Sequence, residues 1–243
     1  MIKCKSSYLL VVVVFLLTAM FGCGAGTNNG TNNGVTPNPG VSEVHGLSKV
    51  DDSGHLNAVL QMIINHPQLR SEVANNNPTA PFGNLFSAYD RHDSTALTFI
   101  HKQIFNYISS LPGMLSLGTS GLPLKVLQGD NDYSYSYGGL GMAGSISVVN
   151  PATWGGYNPS YNIILAFDDN VYNYTTLTYA DIPEQHKIKG FIYNTGGHYV
   201  AYVKGGSGSW YMIDDNNISV VDINSLQRLP LGATPGIEII ILN

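Results

Sequence analysis

Apolar positions along the chain change their period about halfway. Leu56, Val59, Leu60, Ile63 and Ile64 recur at helical spacing, with Asp52 or Ser53 placed to cap the start and Pro67 to stop the run. That predicts an amphipathic helix with Gly54 in its first turn. Pro67–Val73 adds a short helical piece, and Asn75–Pro81 reads as a loop. A second strong helix runs from Ser94, as cap, through Leu97, Ile100, Ile104, Tyr107, Ile108 and Leu111 to the stop at Pro112-Gly113. His92 and His101 flank or lie in it and read as scattered surface histidines, because no carboxylate or Cys completes a ligand set near them.

From Gly113 to Gly144 neither period holds. Tyr133, Tyr135 and Tyr137 alternate with Ser there, which fits an exposed recognition loop or an edge strand with an aromatic face. Beyond it the period is two. Ser145–Val149, Tyr161–Phe167, Ile188–Tyr193, His198–Lys204, Ser209–Ile213, Ile218–Val221 and Ile237–Leu242 are strand-like and are separated by Gly, Asn, Asp and Pro clusters. Helices followed by strands predict an α+β domain, with the first helix packing its stripe on the sheet.

The N-terminus has a different pattern. After Lys3 and Lys5, the run from Tyr8 to Phe21 carries no charge and ends at Gly22-Cys23. A basic start, an apolar core and a small residue predict a secretory signal over residues 1–22. Cys23 then fits a bacterial lipoprotein processing site, with lipid attachment at that Cys, although Met20 and Phe21 depart from the usual pattern. Residues 23–40 repeat Thr-Asn-Asn-Gly and end in Pro37 and Pro39, the composition of a tether. The expected organisation is therefore signal, lipid-anchored tether and a domain over 41–243. The expected location is the cell envelope, at a bacterial outer membrane or cell surface.

Composition narrows the chemistry. The only cysteines are Cys4 and Cys23, so the domain contains no thiol nucleophile, no disulfide and no thiolate metal site. Net charge is −5 with no basic run in the domain, which leaves nucleic-acid binding without support.

One stretch concentrates candidate chemistry. His198-Tyr199-Val200-Ala201-Tyr202-Val203-Lys204 and Trp210-Tyr211-Met212-Ile213 read as two strands of a hairpin turned at Gly205-Gly206-Ser207-Gly208. The return strand brings Asp214 or Asp215 back toward His198. His with Asp is the orienting half of a nucleophile–His–Asp triad. Spacing alone favours a structural histidine beside a turn-forming Asp pair.

Two blocks resemble the ubiquitin-specific proteases, a family of papain-like cysteine hydrolases. Gly197-His198-Tyr199-Val200-Ala201-Tyr202 and Trp210-Tyr211-Met212-Ile213-Asp214-Asp215 match the family's later block in order and spacing. By that resemblance His198 stands at the general base and Asp214 at its orienting partner, with Asp215 close by. Gly46-Leu47 through Asn57, Leu60 and Gln61 match the frame of the earlier block without a gap. Within that frame Gly54 stands at the nucleophilic Cys and Lys49 at the Asn that helps form the oxyanion hole. Gly supplies no atom to attack a carbonyl, and Ser53, one residue away, has no family precedent as a substitute. The family's acidic-Gln middle block finds only a faint counterpart in Gln128-Gly129-Asp130.

The resemblance implies a papain-like α+β fold, N-terminal helices on a C-terminal antiparallel sheet, and a vestigial site at His198, Asp214 and Asp215. It implies neither cofactor nor metal, since the family's zinc ribbon needs cysteines that the domain lacks. The implied function is a catalytically dead deubiquitinase-like domain that binds ubiquitin or a ubiquitin-like protein and is held to a membrane by its lipid. The alternatives are a thiol-independent hydrolase and a plain surface-binding lipoprotein on the same scaffold.

Overall fold

A computed structural model describes residues 44–50, 54–111, 123–128, 130–132, 135–137, 139–142, 145–149, 154, 164–167, 177–232 and 235–242. The signal, the tether, Cys23 and Ser53 lie outside these residues. Among the described residues no helix is long and apolar enough to cross a membrane.

Four helices come first: α1 (Gly54–Ile64), α2 (Pro67–Asn76), α3 (Phe82–Asp90) and α4 (Ser94–Ser110). Helix α2 outlasts its expected end at Val73. Asp93, rather than Ser94, caps α4, its carboxylate accepting from Ala96 N at 3.0 Å. Helix α3 places Phe82, Leu85, Phe86 and Tyr89 inward, at the i, i+3, i+4, i+7 positions of one face. A short α5 (Pro123–Gln128) precedes a separate antiparallel hairpin of β1 (Asp130–Asp132) and β2 (Tyr135–Tyr137). Part of the Tyr-rich stretch is thus a strand paired outside the main sheet; Tyr133 lies outside the described residues.

The remaining strands are β3 (Ile146–Val149), β4 (Ile164–Phe167), β5 (Ile188–Asn194), β6 (Tyr199–Lys204), β7 (Trp210–Asp214) and β8 (Asn217–Val221). After them come the one-turn α6 (Ile223–Leu226) and β9 (Gly236–Leu242). They form a seven-stranded sheet in the order β3-β4-β9-β5-β6-β7-β8. Six strands are antiparallel to their neighbours, and β3 adds to β4 in parallel. The expected antiparallel sheet therefore has one parallel edge.

The sheet is covered on both faces. On one side Leu56, Val59, Leu60, Ile63 and Ile64 of α1 pack with Ile192, Tyr199, Ile239 and Ile241. On the other, Phe191, Tyr202, Trp210, Ile240 and Leu242 pack with Tyr179. Burial on both faces explains why Ile237–Leu242 is apolar almost without alternation. Removing the five α1 side chains from water is worth roughly 1.5–3 kcal/mol each before entropy is counted. That burial fixes α1 on the sheet and its first turn beside the start of β6.

Candidate functional site

His198 sits one residue before β6, at the end of a turn that requires glycine. Gly196 (φ 100°) and Gly197 (φ 137°) adopt the left-handed half of the backbone map. Their amides donate to Asn194 Oδ1 at 2.8 and 3.2 Å. The same Asn194, buried in the last position of β5, donates through Nδ2 to Glu238 Oε1 at 2.7 Å. Thr195 closes the turn, its amide and hydroxyl both donating to the His198 carbonyl, at 2.8 and 3.0 Å. The histidine is therefore aimed by a buried Asn194–Glu238 pair that the sequence reading missed. A buried position within an apolar strand was the available signal.

The His198 ring joins the two halves of the site. Nε2 lies 2.7 Å from Asp214 Oδ1. An ionised carboxylate only accepts, so Nε2 carries the hydrogen and the neutral ring leaves its lone pair on Nδ1. Nδ1 faces the first turn of α1: a Cβ built on Gly54 would stand 3.1 Å from it and 3.4 Å from Cε1. The structure thus places Gly54, His198 and Asp214 in line. Both interacting side chains remain partly open, 34% and 42% exposed.

Asp215 behaves differently from its neighbour. Asp214 pairs with Asn217 across the tight Asp215-Asn216 turn that joins β7 to β8, and Asp215 takes φ 53° there. The Asp215 carboxylate accepts from Asn57 Nδ2, and its carbonyl accepts from Gln61 Nε2 at 3.0 Å. Asn57 Nδ2 also donates to Leu47 O at 3.0 Å. Gly46 lets the 44–50 segment approach this turn; a Cβ there would collide with the Asp215 carbonyl and lie 2.6 Å from Asn216 Cα. Asn57 Oδ1 and Gln61 Oε1 are left buried with no partner among the described residues. Such orphans cost about 1–3 kcal/mol each, a cost set against the bonds that clamp Asp215 to α1.

Lys49 is exposed and makes no ion pair with Asp214 or Asp215 among the described residues. His101 corrects the sequence reading. It is 1% exposed, on the buried stripe of α4 with Leu97, Ile104 and Ile108. Burial pulls its pKa down to about 4, opposed weakly by the Ser48 carbonyl and the charge of Asp215. The Ser48 carbonyl is close without hydrogen-bond geometry, and neither ring nitrogen has a hydrogen-bond partner among the described residues. Burial also lowers the pKa of His55, beside Gly54.

His198, Asp214 and Asp215 offer ligand atoms within 4.8 Å of one another, the one metal-capable group among the described residues. Nε2 is committed to Asp214 and the Asp215 carboxylate to Asn57. The positive end of α1 also opposes a cation. What the arrangement can do is hold an oriented imidazole base against a position with no side chain.

No protein-family model matches the sequence, and no curated protein matches it. Among solved structures the chain is similar to a chain of the SAGA Ubp8/Sgf11/Sus1/Sgf73 DUB module. That match has 10% identity and a TM-score of 0.37, over 83% of this chain and 68% of the other. It is also similar to the Saccharomyces cerevisiae PAN2 pseudoubiquitin-hydrolase, with 13% identity and a TM-score of 0.39, over 82% of this chain and 84% of the other. These overlaps are loose, and the functional reading rests on the site.

Proposed function

We propose that this chain is an exported, lipid-anchored protein whose domain descends from a ubiquitin carboxyl-terminal hydrolase, has lost its nucleophile, and binds ubiquitin or a ubiquitin-like protein without cleaving it. One observation carries the reading: the Nδ1 of an Asp-oriented histidine is aimed at Gly54, the position where the motif frame calls for Cys. In a cysteine hydrolase the thiol in the first turn of a helix gains acidity from the helix dipole and from the facing imidazole. Here the imidazole, its carboxylate and the helix end remain, and the thiol is missing. Without a nucleophile a hydrolase retains only a small rate over water. Binding needs no thiol.

Calorimetric titration with ubiquitin, beside incubation with a fluorogenic ubiquitin C-terminal substrate, tests the reading. The expected result is saturable heat and no turnover. Turnover abolished by His198→Ala would instead establish a thiol-independent hydrolase. Absence of heat would remove ubiquitin as the ligand.

Restoring the thiol by Gly54→Cys is expected to give slow labelling by a ubiquitin-derived electrophile. A Cβ at 3.1 Å from Nδ1 forces the ring back by a few tenths of an ångström, and Lys49 replaces the oxyanion Asn of the family's motif frame. Loss of one oxyanion donor alone costs about 10²–10³-fold.

A further inference from the structure

Strand β6 has a second feature at its other end. Five residue steps separate Tyr199 from Lys204, roughly 17 Å of extended chain. Beyond Lys204 two hollows of about 520 and 410 Å³ adjoin, sharing Asn65, Pro67, Lys204, Gly205 and Gly206. Their sizes suit a small organic ligand.

The charge here is unusual for the molecule. The chain as a whole has 16 acidic and 11 basic residues. Yet the second hollow is lined by Lys189 and Lys204 and by no carboxylate. The first contains one acid, Asp90, and that is held by Arg70, whose Nη1 lies 2.9 Å from both carboxylate oxygens. Lys189 precedes Gly190, whose partner on β6 is Val203, and Lys204 follows Val203, so the two lysines lie at the same end of neighbouring strands. Like charges gathered at one end of a sheet repel each other. Neither lysine has a carboxylate within ion-pair distance among the described residues. Nearby His66 is kept neutral: burial lowers its pKa, and the Lys189 charge lowers it further, against an opposing bond to the Leu242 carbonyl. Among the described residues the fold therefore keeps two nearby positive charges with no counter-charge within ion-pair distance.

We propose that the hollow between Lys189 and Lys204 binds a phosphate group, either on a free small molecule or as a phospholipid headgroup. A phosphate monoester carries nearly two negative charges at neutral pH, matching two ammonium groups that act as point charges. The Gly205-Gly206-Ser207-Gly208 turn forms one wall, and Gly208 takes φ 86°. A turn with so little side-chain bulk admits an anion close to the backbone. Val44, Ile64, Tyr89 and Val203 line the first hollow and give the organic remainder an apolar seat. This site is independent of the ubiquitin reading.

The test uses the full unlipidated chain, followed by amide NMR. Titration with inorganic phosphate at constant ionic strength, balanced with chloride, is expected to give saturable shifts at residues 189–190 and 204–209. The Lys189→Gln/Lys204→Gln double variant should weaken them at least tenfold, and the paired Lys→Arg variant should keep them. A parallel arm sediments the chain with phosphatidylcholine vesicles with and without phosphatidic acid, whose headgroup is a phosphate monoester. Saturation with inorganic phosphate alone supports a free ligand; lysine-dependent sedimentation with phosphatidic acid supports a headgroup. The proposal is overturned if neither arm responds, or if the double variant responds as the parent does.

Discussion

Asp214 and Asp215 are neighbours in sequence and opposite in situation. Asp214 holds the imidazole of His198 from a half-open position, whereas Asp215 is turned inward and bonded by two amides of α1. One carboxylate orients a half-open imidazole and the other belongs to the scaffold beneath it. The difference gives Asp215 and the residues around it a structural reason to be there, apart from any chemistry at His198. Gly46, Asn57 and Gln61 serve the turn that carries Asp215, and this clamp contributes to stability whether or not position 54 bears a thiol.

The contrast can be broken most forcefully at Gly46. Gly46→Ala drives a methyl group into the Asp215-Asn216 backbone and should cost about 3 kcal/mol, read by urea unfolding. An effect under 1 kcal/mol would mean that the 44–50 segment does not rest on the turn.

Acid comes next. His101 is neutral in the fold with a pKa of about 4, while the unfolded chain binds a proton near 6.5. Its contribution is complete above about pH 6.5 and falls as pH drops toward 4, a loss of about 2 kcal/mol by pH 5. His101→Leu should flatten that slope; His55 and His66, shifted in the same direction, should keep part of it. A variant whose stability falls with acid as steeply as the parent's would place the sensitivity elsewhere.

Asn57→Ala removes the bonds to the Asp215 carboxylate and the Leu47 carbonyl and should cost about 2 kcal/mol. Asp214→Ala should cost less than about 1 kcal/mol, because its pair with His198 is open to water. Equal losses for these two variants in the same denaturation experiment would erase the distinction between scaffold and reactive carboxylate.

Much of this was legible in the sequence. Helix α1 was readable from its 56/59/60/63/64 stripe, and strands β3 to β9 from β-branched runs between turn residues. Helix α3 carries the same kind of signal in Phe82, Leu85, Phe86 and Tyr89, overshadowed by the better-marked helices on either side. His101 was misjudged by residue type although its position with Leu97, Ile104 and Ile108 puts it on the apolar face. The Asn194–Glu238 bond is a different case. Two residues 44 apart meet only because β9 is inserted between β4 and β5, and local pattern carries no record of that pairing. In the site, the family resemblance singled out His198 and Asp214, which the fold brings to 2.7 Å, while the inward course of Asp215 depended on a turn at φ 53° that local pattern does not encode.

The imidazole of His198 rests within reach of where a side chain at position 54 would begin. A side chain introduced at position 54 would therefore press on the ring, its Cβ 3.1 Å from Nδ1, and the ring would have to give by a few tenths of an ångström. The contact at Gly54 thus couples whatever stands at that position to the setting of the imidazole, as a key is coupled to the wards of its lock.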